Sequence, residues 1–185
     1  MKLKNICFGI VCTVALVGCT DKMDYHEYAN YGKEYVFSDF GRTAAFVNNI
    51  YSYLDYDLLG TTSLASACDE AEMALNYSNV LDYTNGNWTA LNPKSQWNYY
   101  TPIRAANYFL ENGLNLEFSD LILNQDYEAQ MKRYGRYQYE VRLLRAYYYF
   151  LLVRAYGDVP FTTKVLTEAE ANSLERTPAS QVFDF

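Results

Sequence analysis

Residues 137–160 read YQYEVRLLRAYYYFLLVRAYGDVP, and apolar positions recur along them at helical spacing: Tyr137, Val141, Leu144, Tyr148, Leu151 and Ala155. Steps of three and four place such residues on one face of an α-helix. The flanking Leu143, Tyr147, Phe150, Leu152 and Val153 are apolar as well, so the pattern predicts a helix buried on most sides. Gly157 supplies a terminator and Pro160 forbids continuation. Arg145 and Arg154 confine the uncharged run to Ala146–Val153, far short of the roughly 20 residues that a bilayer crossing needs.

Two more stripes frame this helix. Phe46, Ile50 and Leu54, with Val47, Tyr51 and Leu58 beside them, predict a helix that begins near Asp39 to Thr43 and closes at Gly60. Trp97, Tyr100, Ile103, Asn107 and Leu110 predict another from Ser95 to Gly113, in which Pro102 demands either a kink or a late start. Trp97 reads as a core residue on that spacing, and Gln125 to Tyr134 joins the central helix despite Gly135. Between the first two helices, Thr61 to Leu91 loses its period and fills with Asn, Asp, Thr, Ser and Gly, which predicts a long irregular excursion with a helical turn around Asp69 to Asn76. Near the end, Thr167 and Glu170 have capping-box spacing, and Thr177-Pro178 predicts an N-cap followed by a first-turn proline. The fold class is all-α.

At the N-terminus the pattern is of another kind. Lys2 and Lys4 precede an apolar run from Ile6 to Val17, and Leu16-Val17-Gly18-Cys19 has the form of a bacterial lipobox. This predicts a signal peptide over residues 1–18, with Cys19 as the lipidated first residue of the mature protein. Polar residues follow, so residues 19–38 are expected to be a tether and residues 39–185 the helical domain. Acyl chains supply the anchoring, since each buried methylene contributes about 0.8 kcal/mol. Cys7 and Cys12 leave with the signal and Cys19 is modified, so Cys68 has no partner for a disulfide and is expected to be a buried free thiol.

A formal charge of −7 argues against nucleic-acid binding, which needs basic patches. The 20 tyrosines suit two uses, helix packing or a sugar-binding surface. Catalysis has little support, because His26 is the one histidine and Asp69, Glu70 and Glu72 read as solvated neighbours rather than a pair flanking a bond. No cofactor or metal site is expected. The sequons at Asn76 and Asn87 are read as chance beside a bacterial lipobox.

Arg145-Ala146-Tyr147-Tyr148-Tyr149-Phe150, then Leu152-Val153, then Tyr156-Gly157-Asp158-Val159-Pro160, resembles the signature of the SusD/RagB family, the glycan-capturing outer-membrane lipoproteins of Bacteroidetes. The spacing of Trp97, Tyr100, Ile103 and Ala106-Asn107 resembles that family too. The resemblance implies tetratricopeptide-like antiparallel helix pairs with long irregular loops, in a protein several hundred residues long of which this chain is an N-terminal fragment. It further implies a surface lipoprotein that binds an oligosaccharide or related nutrient and delivers it to a TonB-dependent, SusC-like transporter, with Asp21 and Asp24 fitting an export signal. A protein-binding helical-repeat adaptor and a carbohydrate-active enzyme are the alternatives.

Sugar rings stack their apolar faces on aromatic planes while their hydroxyls seek polar partners. On that chemistry the candidate glycan-binding residues are Trp88, Asn87, Tyr83, Asn92 and Asp69, all in or beside the excursion. Trp88 keeps two readings, stacking on a pyranose or folding back over a neighbouring helix, since large aromatics are usually mostly buried.

Overall fold

A computed structural model describes residues 32–54, 64–68, 71–74, 80–91 and 95–185. The proposed signal peptide, Cys19, His26, Asp69, Glu70 and Asn92 lie outside them. Helices dominate, and the all-α expectation holds. In chain order they are α1 (Lys33–Phe37), α2 (Phe40–Tyr51), α3 (Leu81–Thr84), α4 (Tyr100–Asn112), α5 (Tyr127–Tyr156), α6 (Glu168–Ser173) and α7 (Ala179–Phe183). Two-residue strands form two antiparallel ladders, β1 (Ala67–Cys68) with β2 (Ala71–Glu72), and β3 (Val159–Pro160) with β4 (Arg176–Thr177).

The central helix α5 runs for 30 residues, about 45 Å at 1.5 Å per residue. Gly135 does not interrupt it, because the position is exposed and costs only backbone entropy there. At its end Gly157 adopts a φ of 71°, a left-handed conformation, and donates its N–H to the Val153 carbonyl at 2.8 Å.

Helices α2 and α4 lie against one side of α5. Asp39 caps α2 by accepting the Arg42 N–H at 2.8 Å, and Phe40, Thr43, Ala44, Val47 and Ile50 form its buried face. Phe40 stacks near Tyr137, and the Ile50 carbonyl accepts the Tyr148 hydroxyl at 2.6 Å, so α2 and α5 run in the same direction. Phe109 meets Tyr137 while Tyr99 meets Tyr148, so α4 runs antiparallel to α5.

Pro102 is resolved as a late start. Trp97–Tyr99 form a 3-10 turn, α4 begins at Tyr100, and Pro102 falls in its first turn, where no intrahelical acceptor awaits an N–H. At the other end Gly113 is required by crowding, since a Cβ there would lie 2.7 Å from the Phe109 ring. The Tyr134 hydroxyl then staples the following turn, donating to the Gly113 carbonyl and accepting the Leu116 N–H, both at 2.8 Å.

Several expectations are corrected. Helix α2 stops at Tyr51, well before Gly60, because the Ser52 hydroxyl donates to the Asn49 carbonyl at 2.8 Å and i→i−3 bonds tighten the last turn. The tether expected through residue 38 is helical over Lys33–Phe37, and Phe37 enters the core beside Phe46 and Phe109. Burial of α5 on most sides is not observed: Tyr139 is 64% and Leu143 71% exposed, and Tyr147 and Phe150 are also exposed, since α2 and α4 cover only one side. Thr177 pairs with Val159 instead of capping α7, because the Asp158 carboxylate already accepts the Ala179 N–H at 2.9 Å. The capping box at α6 is formed as expected by Thr167 and Glu170.

Candidate functional site

Within the excursion the described residues fold into small local units. The helical turn expected around Asp69 to Asn76 is replaced, over its described part, by the β1–β2 ladder. Cys68 sits in that ladder and is exposed, with its thiol donating to the Ala65 carbonyl at 3.0 Å. The expected buried thiol is thereby corrected, for a two-residue ladder has no core in which to bury it.

Val80 anchors the next unit by burial, and the single turn of α3 follows. Asn85 accepts the Asn87 N–H on its side-chain oxygen at 3.0 Å, Gly86 takes a φ of 80°, and the Trp88 N–H returns to the Asp82 carbonyl at 3.0 Å. This Asx turn brings Trp88 back over α3, where its ring meets Tyr83 edge-on with centroids 4.9 Å apart. Trp88 is nevertheless 57% exposed, so it folds back onto Tyr83 and still offers surface to solvent. Tyr83, Asn87 and Trp88 thus fall within one loop, with Tyr83 and Trp88 in ring contact and Asn87 exposed.

Trp97 makes a different aromatic plate. Its ring lies parallel to that of Tyr156 at 3.9 Å, and the Tyr156 hydroxyl accepts the Gln96 N–H at 2.6 Å. Arg176 approaches the indole at 5.9 Å. The core placement expected for Trp97 is corrected to 38% exposure, because the late start of α4 leaves it in the 3-10 turn and off the α-helical stripe.

Beyond these aromatic surfaces the chain buries a polar network. Arg145 is buried on α5 and its Nη1 donates to Asn107 Oδ1 at 2.7 Å. Asn107, buried on α4, turns its Nδ2 to the carbonyls of Thr162 at 3.3 Å and Lys164 at 3.1 Å. Tyr149 donates its hydroxyl to the Thr162 carbonyl at 2.8 Å and accepts the Thr162 N–H at 3.0 Å. Burial pushes the Tyr149 phenol up to about 12 and lowers the Arg145 guanidinium from its ordinary value. These bonds hold residues 160–164 against the helix pair. An open groove of about 280 Å³ remains between α4 and this segment, lined by Tyr100, Ile103, Arg104, Leu166 and Leu174 among others. Among the described residues, no three His, Cys, Asp or Glu side chains gather to hold a metal ion.

The family model described as "starch-binding associating with outer membrane" matches residues 26–184. The chain belongs to the SusD-like family. Its fold is similar to the crystal structure of a SusD-like protein from Bacteroides fragilis, with a TM-score of 0.57 and 22% identity. That match covers 83% of this chain and 28% of the longer one, so the chain spans under a third of its structural neighbour. A comparison with curated proteins finds no match.

In this SusD-like chain the signature stretch performs a structural task. Arg145 and Tyr149 clamp the segment that follows the helix, Gly157 reverses the chain, and Asp158 caps α7. The pattern of apolar positions placed Asn107 on a helical stripe without revealing that it bridges Arg145 to two carbonyls. The available signal was an amide and a guanidinium, each standing among apolar neighbours on a buried face.

Proposed function

We propose that this chain forms the N-terminal part of a cell-surface lipoprotein that binds an oligosaccharide or related nutrient and delivers it to a SusC-like TonB-dependent transporter. Family membership over residues 26–184 is the observation that carries this reading. Under it, residues 1–18 direct export, Cys19 carries the lipid, and the helical part stands off the outer membrane, facing outward. The exposed Trp88 ring against Tyr83 supplies a stacking plane, with Asn87 exposed in the same loop, and Asp69 and Asn92 are proposed as further ligand contacts. The protein holds its ligand without cleaving it, and the transporter carries out import.

Affinity electrophoresis of the full-length protein through gels containing different polysaccharides tests the binding. Retardation by one glycan, with no release of reducing ends, is the expected result. Unretarded migration in every glycan would overturn the reading in favour of a protein-binding adaptor, and reducing-end release would turn it into an enzyme. Anchoring is tested separately: Cys19→Ala should leave an uncleaved or soluble protein, read by membrane fractionation.

A further inference from the structure

The groove between α4 and the segment that follows α5 has apolar walls. Tyr100, Ile103, Pro160, Leu166, Ala171 and Leu174 form them around an open volume of about 280 Å³. At ~30 Å³ for each water-sized group, this is room for on the order of nine such groups, a medium-length acyl chain or a substituted aromatic ring. The neutral polar groups of the walls are already engaged by the chain itself. Tyr100 donates its hydroxyl to the Pro160 carbonyl at 2.5 Å, and Asn107 is held at one end by Arg145 and at the other by two carbonyls. A sugar, with hydroxyls on every edge, finds few partners here, and burying them unpaired is costly.

The cations of the groove, by contrast, keep donors open. Arg104 and Lys164 both line it and are exposed. Arg104 donates Nη1 to the Leu166 carbonyl at 2.8 Å, a bond that steadies the guanidinium and leaves most of its N–H groups open. Behind Asn107 stands buried Arg145, whose partners among the described residues are all neutral: Asn107 Oδ1 at 2.7 Å, the Thr163 carbonyl at 3.5 Å and the Phe185 ring face at 4.8 Å. Among the described residues, no acidic side chain lines the groove. Glu111 and Glu170 stand by the same segment but are bound to its backbone, accepting the Val165 and Thr167 N–H groups, each at 2.8 Å.

We propose that this groove binds a small apolar carboxylate, its hydrocarbon part against Ile103, Leu166 and Leu174 and its charged end at Arg104, with Lys164 adding positive charge. Charge complementarity selects the occupant. A neutral apolar molecule leaves both cations unanswered, and an apolar cation meets like charge. A guanidinium receives a carboxylate through parallel N–H bonds, and an ammonium attracts it as a point charge. The site shares no residue with the Trp88 loop and stands apart from the glycan reading.

Isothermal titration calorimetry of the full-length protein with decanoate, kept below its micelle-forming concentration, tests the proposal against decanol, which carries the same chain without the charge. Decanoate should saturate a single site and bind about tenfold tighter than decanol. Arg104→Gln together with Lys164→Gln should weaken decanoate about tenfold and leave decanol unchanged. Lys164→Gln alone alters one exposed side chain, and should weaken decanoate about threefold even if the double variant fails to fold. Ala171→Trp, at an exposed position of α6, should fill the groove and abolish decanoate binding while glycan retardation in the gel stays as in the wild type. No saturable decanoate binding, equal affinity for decanol, or decanoate binding that survives Ala171→Trp would each overturn the proposal.

Discussion

The helical core and the excursion use the same aromatic residue types to opposite ends. In the core, rings cross between elements distant in sequence: Phe37 with Phe109, Phe40 with Tyr137, Tyr99 with Tyr148. In the excursion, Trp88 meets Tyr83, five residues away and within one loop. These long-range core contacts tie helices together and take their rings out of solvent, while the local one braces a turn and leaves Trp88 57% exposed. Sequence abundance of Tyr and Trp is therefore silent about role. Sequence distance alone does not separate the two uses, for Trp97 stacks on Tyr156 of another element and is still 38% exposed.

The comparison can be broken most strongly at α5. Leu144 and Leu151 are buried on its core face, so truncating either to Ala should cost about 2–5 kcal/mol. Thermal melts of full-length variants read this against a surface control, Lys132→Ala. Equal shifts would mean that the core does not depend on α5 as described.

Alkali attacks the same region through its tyrosines. Burial holds the Tyr149 phenol near 12, and desolvation raises Tyr100, Tyr134 and Tyr137 as well. A folded value above the unfolded one, about 10, means that the stabilising contribution is complete below pH 10. It is then lost as pH rises through the folded value, at about 1.4 kcal/mol per unit. Tyrosinate absorbance should show an early step from exposed rings and a late step that coincides with unfolding between pH 10 and about 12. A single step near pH 10 would contradict the burial of this set.

The polar network should respond next. Asn107→Ala strips Arg145 Nη1 of its amide acceptor and removes one donor each from the Thr162 and Lys164 carbonyls, which keep the Tyr149 and Thr162 hydroxyls, at about 1–3 kcal/mol where the buried guanidinium nitrogen finds no replacement. Hydrogen exchange should quicken over residues 160–164 more than in α2. Uniform loosening of both would show that the clamp is not local.

In the excursion, stability and binding are expected to separate. Trp88→Ala should leave the melting temperature nearly unchanged and lower glycan affinity by about 2 kcal/mol, the loss typical of an interface hot spot. Calorimetry with the glycan chosen by affinity electrophoresis measures it. Wild-type affinity would make Trp88 a brace for Tyr83 alone, and a collapsed melt would place it with the core rings.

Helix periodicity, caps and terminators were legible because each depends on residues within a few positions. The stripe through Val141, Leu144, Tyr148 and Leu151, the stop at Gly157 and the Thr167–Glu170 box could all be read along one segment. The signature stretch carried the family, and with it the all-α fold. Position in space was a different matter. Periodicity states which residues share a face but not how many faces a neighbour will cover, so Leu143 and Phe150 looked as buried as Leu144. Trp97 looked like core until the start of α4 was set by Pro102, and Cys68 until its segment paired with Ala71. The bond from Arg145 through Asn107 to Thr162 and Lys164 joins three separate stretches of chain. Such a bond exists only after the helices have packed, because its geometry is fixed by where two backbones cross and not by any spacing within one of them.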